Sequence, residues 1–247
     1  MAIPTFMNPM GLSQSPPSIE LISGEVVKFG TLWINGVKQL RPTRPWVGTP
    51  AGAPGAGNMY YSSAGTIQIK NTDSDDDYKL QWVVVVDGTK TLLICDRCLT
   101  VDSTFNTLNA NTGNAGSNPP SIIVDGIKFT HRFLDVGTDM RIAGDNNSGA
   151  TPTGNEWDRI ILNEGGFPEL PVPTASDLSV TTAEAQRIDT HNQLWNWYKV
   201  YTWGRNVDAA TGRNRLIRGN IGARYFYTYG ATTNLATGGY RPVLELE

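Results

Sequence analysis

Histidine and cysteine, on which much enzyme chemistry near neutral pH depends, are scarce in this chain. Its 247 residues include two cysteines and two histidines. Because histidine is the side chain that titrates near pH 7, two of them leave little material for general acid–base catalysis. The chain also lacks the nucleophile elbow G-x-S-x-G, the zinc motif H-E-x-x-H, the P-loop and the dinucleotide-binding fingerprint. These absences predict a non-enzymatic protein that needs neither a cofactor nor a metal ion.

The chain also has few charged residues and no long apolar run. The chain has 20 Lys and Arg against 23 Asp and Glu, and a net charge of -3. The missing basic excess argues against general nucleic-acid binding. The longest apolar run, at 82–86, is far shorter than the roughly 20 residues that span a bilayer, and the first residues do not resemble a signal peptide. We therefore expect a soluble protein, made in a cytoplasm, that neither binds nucleic acid nor inserts into membranes.

The two cysteines form a single C-D-R-C motif. A zinc site would need two more cysteine or histidine ligands, and His131 and His191 each stand alone in the sequence. A redox motif of this spacing normally begins a helix, whereas the preceding residues 91–94 predict a strand. We expect Cys95 and Cys98 to be structural, with a metal or redox role as the alternative.

An acidic run at 71–77 places carboxylates at alternate positions, as a calcium-binding loop does. Counted from Asp73, however, the sixth position is Tyr78 instead of glycine, and the twelfth is Val84 instead of glutamate. The pattern therefore favours a solvated turn between two strands over a calcium site.

Glycine and proline are abundant, with 26 and 15 residues. Strand-like runs are separated by the turn pairs Asn35-Gly36, Asp87-Gly88 and Asp125-Gly126, which predict hairpins. The stretch 106–120 is predicted to be a polar loop, and the clearest helix candidate is short, at 181–188. The chain is thus expected to be dominated by strands.

The first 18 residues are apolar but interrupted by proline, asparagine and glycine. Such a segment cannot form regular structure alone, but it can lie extended on a neighbouring subunit. A frayed terminus is the alternative. The candidate assembly-docking residues are Ile3, Phe6, Met7, Met10 and Leu12.

Aromatic and arginine residues are concentrated in the C-terminal third. Three tyrosines at 225–229 alternate in sequence, so in an extended segment they share one face and can stack on sugars. The alternative is that these rings belong to the core. The candidate ligand-binding residues are Arg213, Tyr225, Tyr227, Tyr229 and Asn234.

Tryptophans Trp195 and Trp197 are expected to be structural.

Glu156 and Asp158 flank Trp157, and in a strand both carboxylates would point to the same face. A glycosidase needs only two carboxylates, so a catalytic role for this pair is the alternative interpretation. The favoured interpretation is that these two accept hydrogen bonds from an arginine or from backbone amides near a buried tryptophan.

Several motifs follow one another in the second part of the chain. In order they are Ile94-Cys95-Asp96-Arg97, N-E-W-D-R-I-I at 155–161, Trp195-Asn196-Trp197, Arg218-Gly219, Ala223-Arg224-Tyr225 and G-Y-R-P-V-L-E at 239–245. This series resembles the closing part of the formylglycine-generating-enzyme type of C-type-lectin-like fold. It is most similar to uncharacterised Bacillus-type phage and prophage proteins that end in G-[YFW]-R-P-V-L-E. The resemblance covers about residues 90 to 247.

We expect a β-rich α+β fold in three parts, of which the resemblance implies the last. A C-type-lectin-like domain with long loops, at 89–247, follows a small β-rich anchoring region at 19–88 and an extended N-terminal arm at 1–18. Oxidase activity does not carry over, because the copper-binding cysteine pair of those enzymes lies in the C-terminal part and no cysteine follows Cys98 here. The E-P-N, Q-P-D and W-N-D motifs of calcium-dependent lectins are also missing.

The resemblance predicts a phage virion protein, either a tail- or fibre-associated attachment protein or a capsid decoration protein. Its expected partners are other virion proteins and further copies of itself, with a host-surface glycan as a further candidate. A carbohydrate-binding adhesion module for bacterial cell-wall glycans is the second hypothesis. An enzyme, such as a degenerate oxidase or a hydrolase, is the third.

Overall fold

The computed structural model describes residues 21–42, 60–61, 65–114, 118–181 and 190–247, without the side chains of 60, 61 and 190. The predicted helix at 181–188 lies outside the described residues apart from its first residue. The predicted N-terminal arm also lies outside them, together with its docking candidates Ile3, Phe6, Met7, Met10 and Leu12.

The described residues form sixteen strands and a few short helices. The strands are β1 (Val26–Ile34), β2 (Val37–Lys38), β3 (Tyr60–Tyr61), β4 (Ile67–Lys70), β5 (Lys79–Asp87), β6 (Lys90–Cys95), β7 (Thr100–Val101), β8 (Ser121–Val124), β9 (Ile127–Phe133), β10 (Asp139–Met140), β11 (Ala150–Thr151), β12 (Tyr201–Val207), β13 (Asn214–Gly219), β14 (Phe226–Gly230), β15 (Gly238–Gly239) and β16 (Pro242–Leu246). The helices are a 3-10 turn (Asp76–Tyr78), α1 (Phe105–Asn111), a π-helix (Trp157–Ile161), α2 (Ala175–Leu178) and α3 (Thr190–Trp195). None of these described helices is long and apolar enough to cross a membrane.

An antiparallel sheet of eight strands forms the centre of the fold. Its order is β2-β1-β5-β6-β16-β9-β8, and β4 pairs with the far end of β1. The C-terminal strand β16 lies between β6 and β9, so the end of the chain is in the middle of the sheet. The expected boundary at residue 88 falls within the hairpin of β5 and β6, and strands from both sides of it share this sheet.

Three predicted hairpins are confirmed. The turns at Asn35-Gly36 and Asp125-Gly126 have positive φ at both residues, 52° and 75° in the first and 50° and 80° in the second. Asparagine, aspartate and glycine adopt these angles more readily than other residues, which is why the pairs mark two-residue hairpin loops. The Asp87-Gly88 pair begins the turn that joins β5 to β6.

The large sheet curls until its two ends approach each other. The backbone N–H of Asp125, in the turn between β8 and β9, donates to Asn71 Oδ1 at 2.9 Å. In return, the backbone N–H of Thr72, just after β4, donates to Asp125 Oδ1 at 3.0 Å. These side-chain bonds connect the two ends of the sheet where strand-to-strand pairing stops.

A second, four-stranded sheet has the order β14-β13-β12-β15. Its β12 and β13 pair antiparallel, as do β13 and β14, whereas β15 runs parallel to β12. A backbone hydrogen bond from Leu99 N to Tyr240 O, at 2.8 Å, ties the chain leaving this sheet to the segment that follows β6. The second sheet is thereby held against the first.

The core lies on both faces of the large sheet. Val83 and Val85 of β5 face a cluster built around the π-helix and α3, whereas Trp82 faces a second cluster with Phe29 and Phe129. Because both faces of β5 are covered, its sequence is a continuous apolar run instead of an alternating one. The β-rich class expected from composition is confirmed.

Helix α1 corrects the prediction of a polar loop at 106–120. Thr104 caps the helix by accepting a hydrogen bond from Thr107 N at 3.0 Å, and Phe105 and Leu108 are buried. The helix forms in spite of its asparagine-rich sequence because those two apolar side chains anchor it in the core. The segment 157–161 is likewise a π-helix, which replaces the strand geometry considered for Glu156 and Asp158.

Candidate binding face

The motif residues Asp158 and Arg218 form an ion pair inside the protein, and both side chains are fully buried. Asp158 also accepts hydrogen bonds from Asn155 Nδ2 at 2.8 Å, Ala150 N at 3.0 Å and Arg141 Nη2 at 3.2 Å. Burial alone would raise the pKa of Asp158, but the charge and hydrogen bond of Arg218 outweigh burial and lower the pKa. The carboxylate is therefore a structural anion.

Glu156 belongs to a second network. It accepts hydrogen bonds from Arg132 Nη2 at 2.6 Å and from the backbone N–H of Asp135 at 2.9 Å. The same guanidinium donates to Glu245 at 2.8 Å. The predicted role of Glu156 and Asp158 as hydrogen-bond acceptors is confirmed, and the two carboxylates sit in separate arginine networks.

Arg241, in the last motif, connects three of the motifs through backbone and side-chain oxygens. Its buried guanidinium donates to Cys95 O at 2.9 Å, to Thr202 Oγ1 at 3.2 Å and to Asn196 O at 3.5 Å. A buried charge is costly unless it is hydrogen-bonded. These bonds explain why an arginine can occupy the interior where the motifs meet.

The motif tryptophans are part of the core. Trp195 and Trp197 are fully buried, which confirms the structural role expected for them. Trp197 Nε1 donates to His191 Nδ1 at 3.0 Å, and Trp157 Nε1 donates to Ala223 O at 2.8 Å. The ordered motifs thus bind to one another in the interior of the fold.

Cys95 and Cys98 are both buried and are not joined by a disulfide bond. Burial raises the pKa of Cys95 to about 12 and also raises that of Cys98. The thiolate is the form of cysteine that reacts and binds metals, and burial of the two side chains disfavours it. Cys98 Sγ lies 3.4 Å from Thr202 Oγ1, which is consistent with the structural role expected for the pair.

The acidic run lies between β4 and β5, where the sequence predicts a turn. Lys38 Nζ donates to Asp73 Oδ2 at 2.6 Å, and Asp75 Oδ1 accepts from Asp77 N at 3.1 Å. Within the described ranges, no group of three or more His, Cys, Asp or Glu residues is arranged to hold a metal ion.

The candidate tyrosines come together with a fourth, Tyr201. We name Tyr201, Tyr225, Tyr227 and Tyr229 the tyrosine ladder. Ring centroids of Tyr225 and Tyr227 are 6.5 Å apart with parallel planes, those of Tyr227 and Tyr229 are 5.0 Å apart, and those of Tyr201 and Tyr225 are 6.2 Å apart. The four rings form a continuous aromatic row, and the side chain of Tyr227 is 39% exposed.

Strand geometry explains the ladder. Residues two apart on a strand lie on one face, so Tyr227 and Tyr229 on β14 project to the same side, and Tyr225 directly precedes the strand. In the antiparallel pairing of β13 and β14, Tyr227 lies opposite Ile217 and Tyr229 lies opposite Arg215. The intervening Phe226 points to the other face and is buried in the core. Alternation therefore directs Phe226 to one core cluster and the tyrosines to the other side of the sheet, where Tyr201 and Tyr229 pack against the second cluster.

Tyr201 reaches the ladder from β12, across β13, where Gly219 lies opposite it. Burial raises the pKa of Tyr201 to about 12. Tyr201 lies 24 residues before Tyr225, so local alternation did not predict that it joins the other three tyrosines. Alternation along β12 was the only local signal for Tyr201. The pairing of β12 with β13 is what shows that Tyr201 lies on the same face as the other tyrosines.

The other two candidate ligand residues are placed differently. Arg213 is exposed in the turn between β12 and β13, where its backbone N–H donates to Thr211 Oγ1 at 3.5 Å. Asn234 is exposed in the loop after β14, and its Nδ2 donates to Asp102 Oδ1 at 3.2 Å. The structure thus gathers the tyrosines into one row and places Arg213 and Asn234 on loops beyond it.

Comparisons of the chain with models of protein families, with curated proteins and with solved structures find no match. The class of protein is therefore defined by its fold and by the geometry of the candidate site alone. It is a β-rich protein that carries a row of partly exposed tyrosines on its second sheet.

Proposed function

We propose that this chain is a non-enzymatic structural protein of a bacteriophage particle, associated with the tail or a fibre, that attaches to the host surface through the tyrosine ladder. The observation that carries the attachment role is the row of four tyrosine rings with Tyr227 exposed. Tyrosine combines a large apolar ring with a polar hydroxyl, so a tyrosine row suits contact with the faces and hydroxyls of sugars.

The positions of the motif residues support the display role. Asp158, Arg218 and Arg241 form hydrogen bonds in the interior, and Trp195 and Trp197 are core residues. Their role is to hold the scaffold together, while exposed surface remains at Tyr227 on the second sheet and at Arg213 and Asn234 on its loops. This arrangement suits a C-type-lectin-like scaffold, in which the interior is fixed and the exposed surface carries the binding chemistry.

The virion assignment is based on the resemblance to phage and prophage proteins. Oligomerisation with further copies of the chain and contact with other virion proteins are part of the proposal, because particle proteins occur in repeated arrays. The same resemblance also supports a position on the capsid surface, where the chain would be a decoration protein.

The virion assignment can be tested on purified phage particles. Mass spectrometry of the particle proteins should detect this chain, and immunogold electron microscopy should locate it on the tail or fibre. Labelling of the capsid surface would favour the decoration role. Absence of the chain from particles that remain infectious would contradict the virion assignment.

The ladder also favours a second function, a carbohydrate-binding adhesion module for bacterial cell-wall glycans. This function requires glycan binding by the chain in isolation. We expect binding to purified cell-wall glycan that persists in EDTA and falls about tenfold in Tyr227→Ala, through loss of ring contact area. Tyr78→Ala is the matched control, since Tyr78 lies in the 3-10 turn before β5, where its ring contacts Lys38 away from the ladder. Equal affinity of the Tyr227→Ala variant and the wild type would exclude the ladder as the glycan site.

A further inference from the structure

A cleft of about 390 Å³ is bordered by β12 and β13 of the second sheet, and its volume is in the range typical of small-molecule sites. Arg132, Arg205, Arg215, Asn206 and Phe105 are among the residues that line it. Three arginines in one cleft suggest an anion, but the balance of charge depends on which of them are neutralised by carboxylates.

Two of the three arginines are paired with carboxylates. Arg132 binds both Glu156 and Glu245, at 2.6 and 2.8 Å, and Arg205 binds Asp135 at 2.8 Å. Across the part of the chain that the structure describes, Arg215 has no carboxylate within salt-bridge distance. Arg215 is thus the uncompensated cation of the cleft.

The guanidinium of Arg215 is held in place by neutral groups. It lies over the ring of Phe105, with 4.3 Å between Cζ and the ring centroid, and its Nη1 donates to the backbone carbonyl of Arg205 at 2.8 Å. Burial lowers the pKa of Arg215, as expected for a cation without a nearby anion. These contacts orient the group and leave its other N–H donors for a ligand.

Asn206 adds a neutral donor to the cleft. Its Oδ1 accepts a hydrogen bond from the backbone N–H of Val136 at 2.8 Å, which fixes the orientation of the amide. In that orientation, the NH₂ group is available to a molecule in the cleft. A fixed amide beside a guanidinium is suited to the oxygens of a carboxylate or a phosphate.

The cleft and the ladder share one face of the second sheet. Arg215 on β13 lies directly opposite Tyr229 on β14, and side chains directly opposite each other project to the same side with Cβ atoms about 5 Å apart. A molecule that contacts Tyr229 can therefore reach the guanidinium of Arg215 without crossing the sheet.

We propose that the cleft at Arg215 binds the carboxylate or phosphate group of an anionic glycan whose adjoining sugar lies on Tyr229 and the rest of the ladder. This inference rests on the proposed attachment of the ladder to carbohydrate and narrows the ligand from glycans in general to acidic ones. Arg215 supplies the charged contact, Asn206 a directional one and the tyrosines the ring contacts.

A glycan fits the cleft better than a nucleic acid does. Aromatic and arginine residues also bind single-stranded nucleic acids, but such sites use a track of cations along the backbone. Here the cleft contains one arginine without a carboxylate partner among the described residues, opposite Tyr229, in a chain with a net charge of -3. A single anionic group attached to sugar rings matches this distribution.

The test measures binding of the full chain by isothermal titration calorimetry to four probes. These are polygalacturonate, a glycerol-phosphate polymer, a neutral chitin oligosaccharide and oligothymidylate. We expect one of the two anionic polymers to bind most tightly, and the comparison between them distinguishes a carboxylate from a phosphate ligand. Arg215→Gln should weaken that binding about tenfold and leave binding of the neutral oligosaccharide unchanged.

A second variant avoids loss of the contact between Arg215 and Phe105. Asn206→Asp keeps the acceptor for Val136 N and adds a negative charge to the cleft, so it should also weaken anionic binding about tenfold. Gln68→Glu adds the same charge at an exposed position on β4 and is the matched control.

The possible failures can be told apart. If Tyr227→Ala weakens glycan binding while Arg215→Gln and Asn206→Asp leave anionic binding unchanged, the cleft assignment is overturned and the ladder function stands. If oligothymidylate binds as tightly as the best anionic polymer, the glycan class is wrong. If no glycan binds, both the inference and the proposed attachment function are overturned.

Discussion

Asp158 and Arg218 form a salt bridge from which solvent is fully excluded, because neither side chain has any exposed surface. Asp158 comes from the π-helix and Arg218 from β13, so the pair connects the chain after β11 to the second sheet. Each charge is costly to bury alone, and each depends on the other. Stability is therefore expected to respond sharply when one partner is removed.

We predict that Asp158→Asn destabilises the protein by about 3–5 kcal/mol, because it leaves the Arg218 charge buried without a counter-ion. The matched control is Asp87→Asn, which removes a partly exposed partner of Arg159 and should cost less than about 1 kcal/mol. Urea unfolding of both variants gives the two free energies. Similar free energies of unfolding for the two variants would contradict the prediction.

His131 is expected to make stability depend on pH. It is buried and contacts the Tyr240 hydroxyl, and burial lowers its pKa from 6.5 to about 4. Between these two values the unfolded chain binds a proton that the folded protein does not, so stability is complete above pH 6.5 and falls as the pH drops toward 4.

The resulting loss between pH 7 and pH 5 is roughly 2 kcal/mol for His131 alone. Denaturant unfolding at both pH values measures it, and His131→Gln should show a correspondingly smaller difference between them. A variant with the same pH dependence as the wild type would show that His131 does not carry the effect.

Gly239 is predicted to tolerate no side chain. A Cβ at this position would lie 2.7 Å from Thr100 O and 2.8 Å from Cys98 Cβ, closer than such atoms approach. Gly239→Ala should therefore destabilise the protein by about 1–3 kcal/mol, through displacement of the surrounding backbone. In the control Gly154→Ala, the new Cβ would meet no atom within 4 Å. Thermal unfolding should separate the two variants, and equal melting temperatures would refute the argument.

The two thiols should be unreactive in the folded protein. Cys95 and Cys98 are both buried, and burial raises the pKa of Cys95 to about 12, which suppresses the thiolate. A thiol reagent such as Ellman's reagent is expected to modify neither cysteine in buffer and both in denaturant. Rapid modification of the native protein would indicate that the segment between β6 and β7 opens.

Local sequence signals predicted the hairpins but not helix α1. Asn35-Gly36 and Asp125-Gly126 mark turns because few other residues adopt positive φ at low cost. Helix α1 has an asparagine-rich sequence with weak helix propensity, and it forms because Phe105 and Leu108 enter the core. Only Thr104, as a cap, was a local sign of it.

The candidate site was also predicted only in part, because some of its residues follow a local sequence pattern and others are brought in by distant strands. Alternation at Tyr225, Tyr227 and Tyr229 is local, and a strand converts it directly into a shared face. Tyr201 and Arg215 join that face through pairing between strands, and their separation along the chain gives no indication of it. The charge state of the cleft depends further on carboxylates from other elements, among them Glu156 and Glu245.

Composition and local sequence pattern were sufficient to predict the β-rich class, the hairpin turns and the alternation of the tyrosines, because these follow from backbone preferences and from the two-residue period of a strand. The folded structure was needed to show that the motif residues bind one another in the interior, and that Arg215 lies opposite Tyr229 with no carboxylate partner among the described residues. Those relationships arise from strand register and from packing between distant segments, and the free energy of such contacts depends on the whole fold.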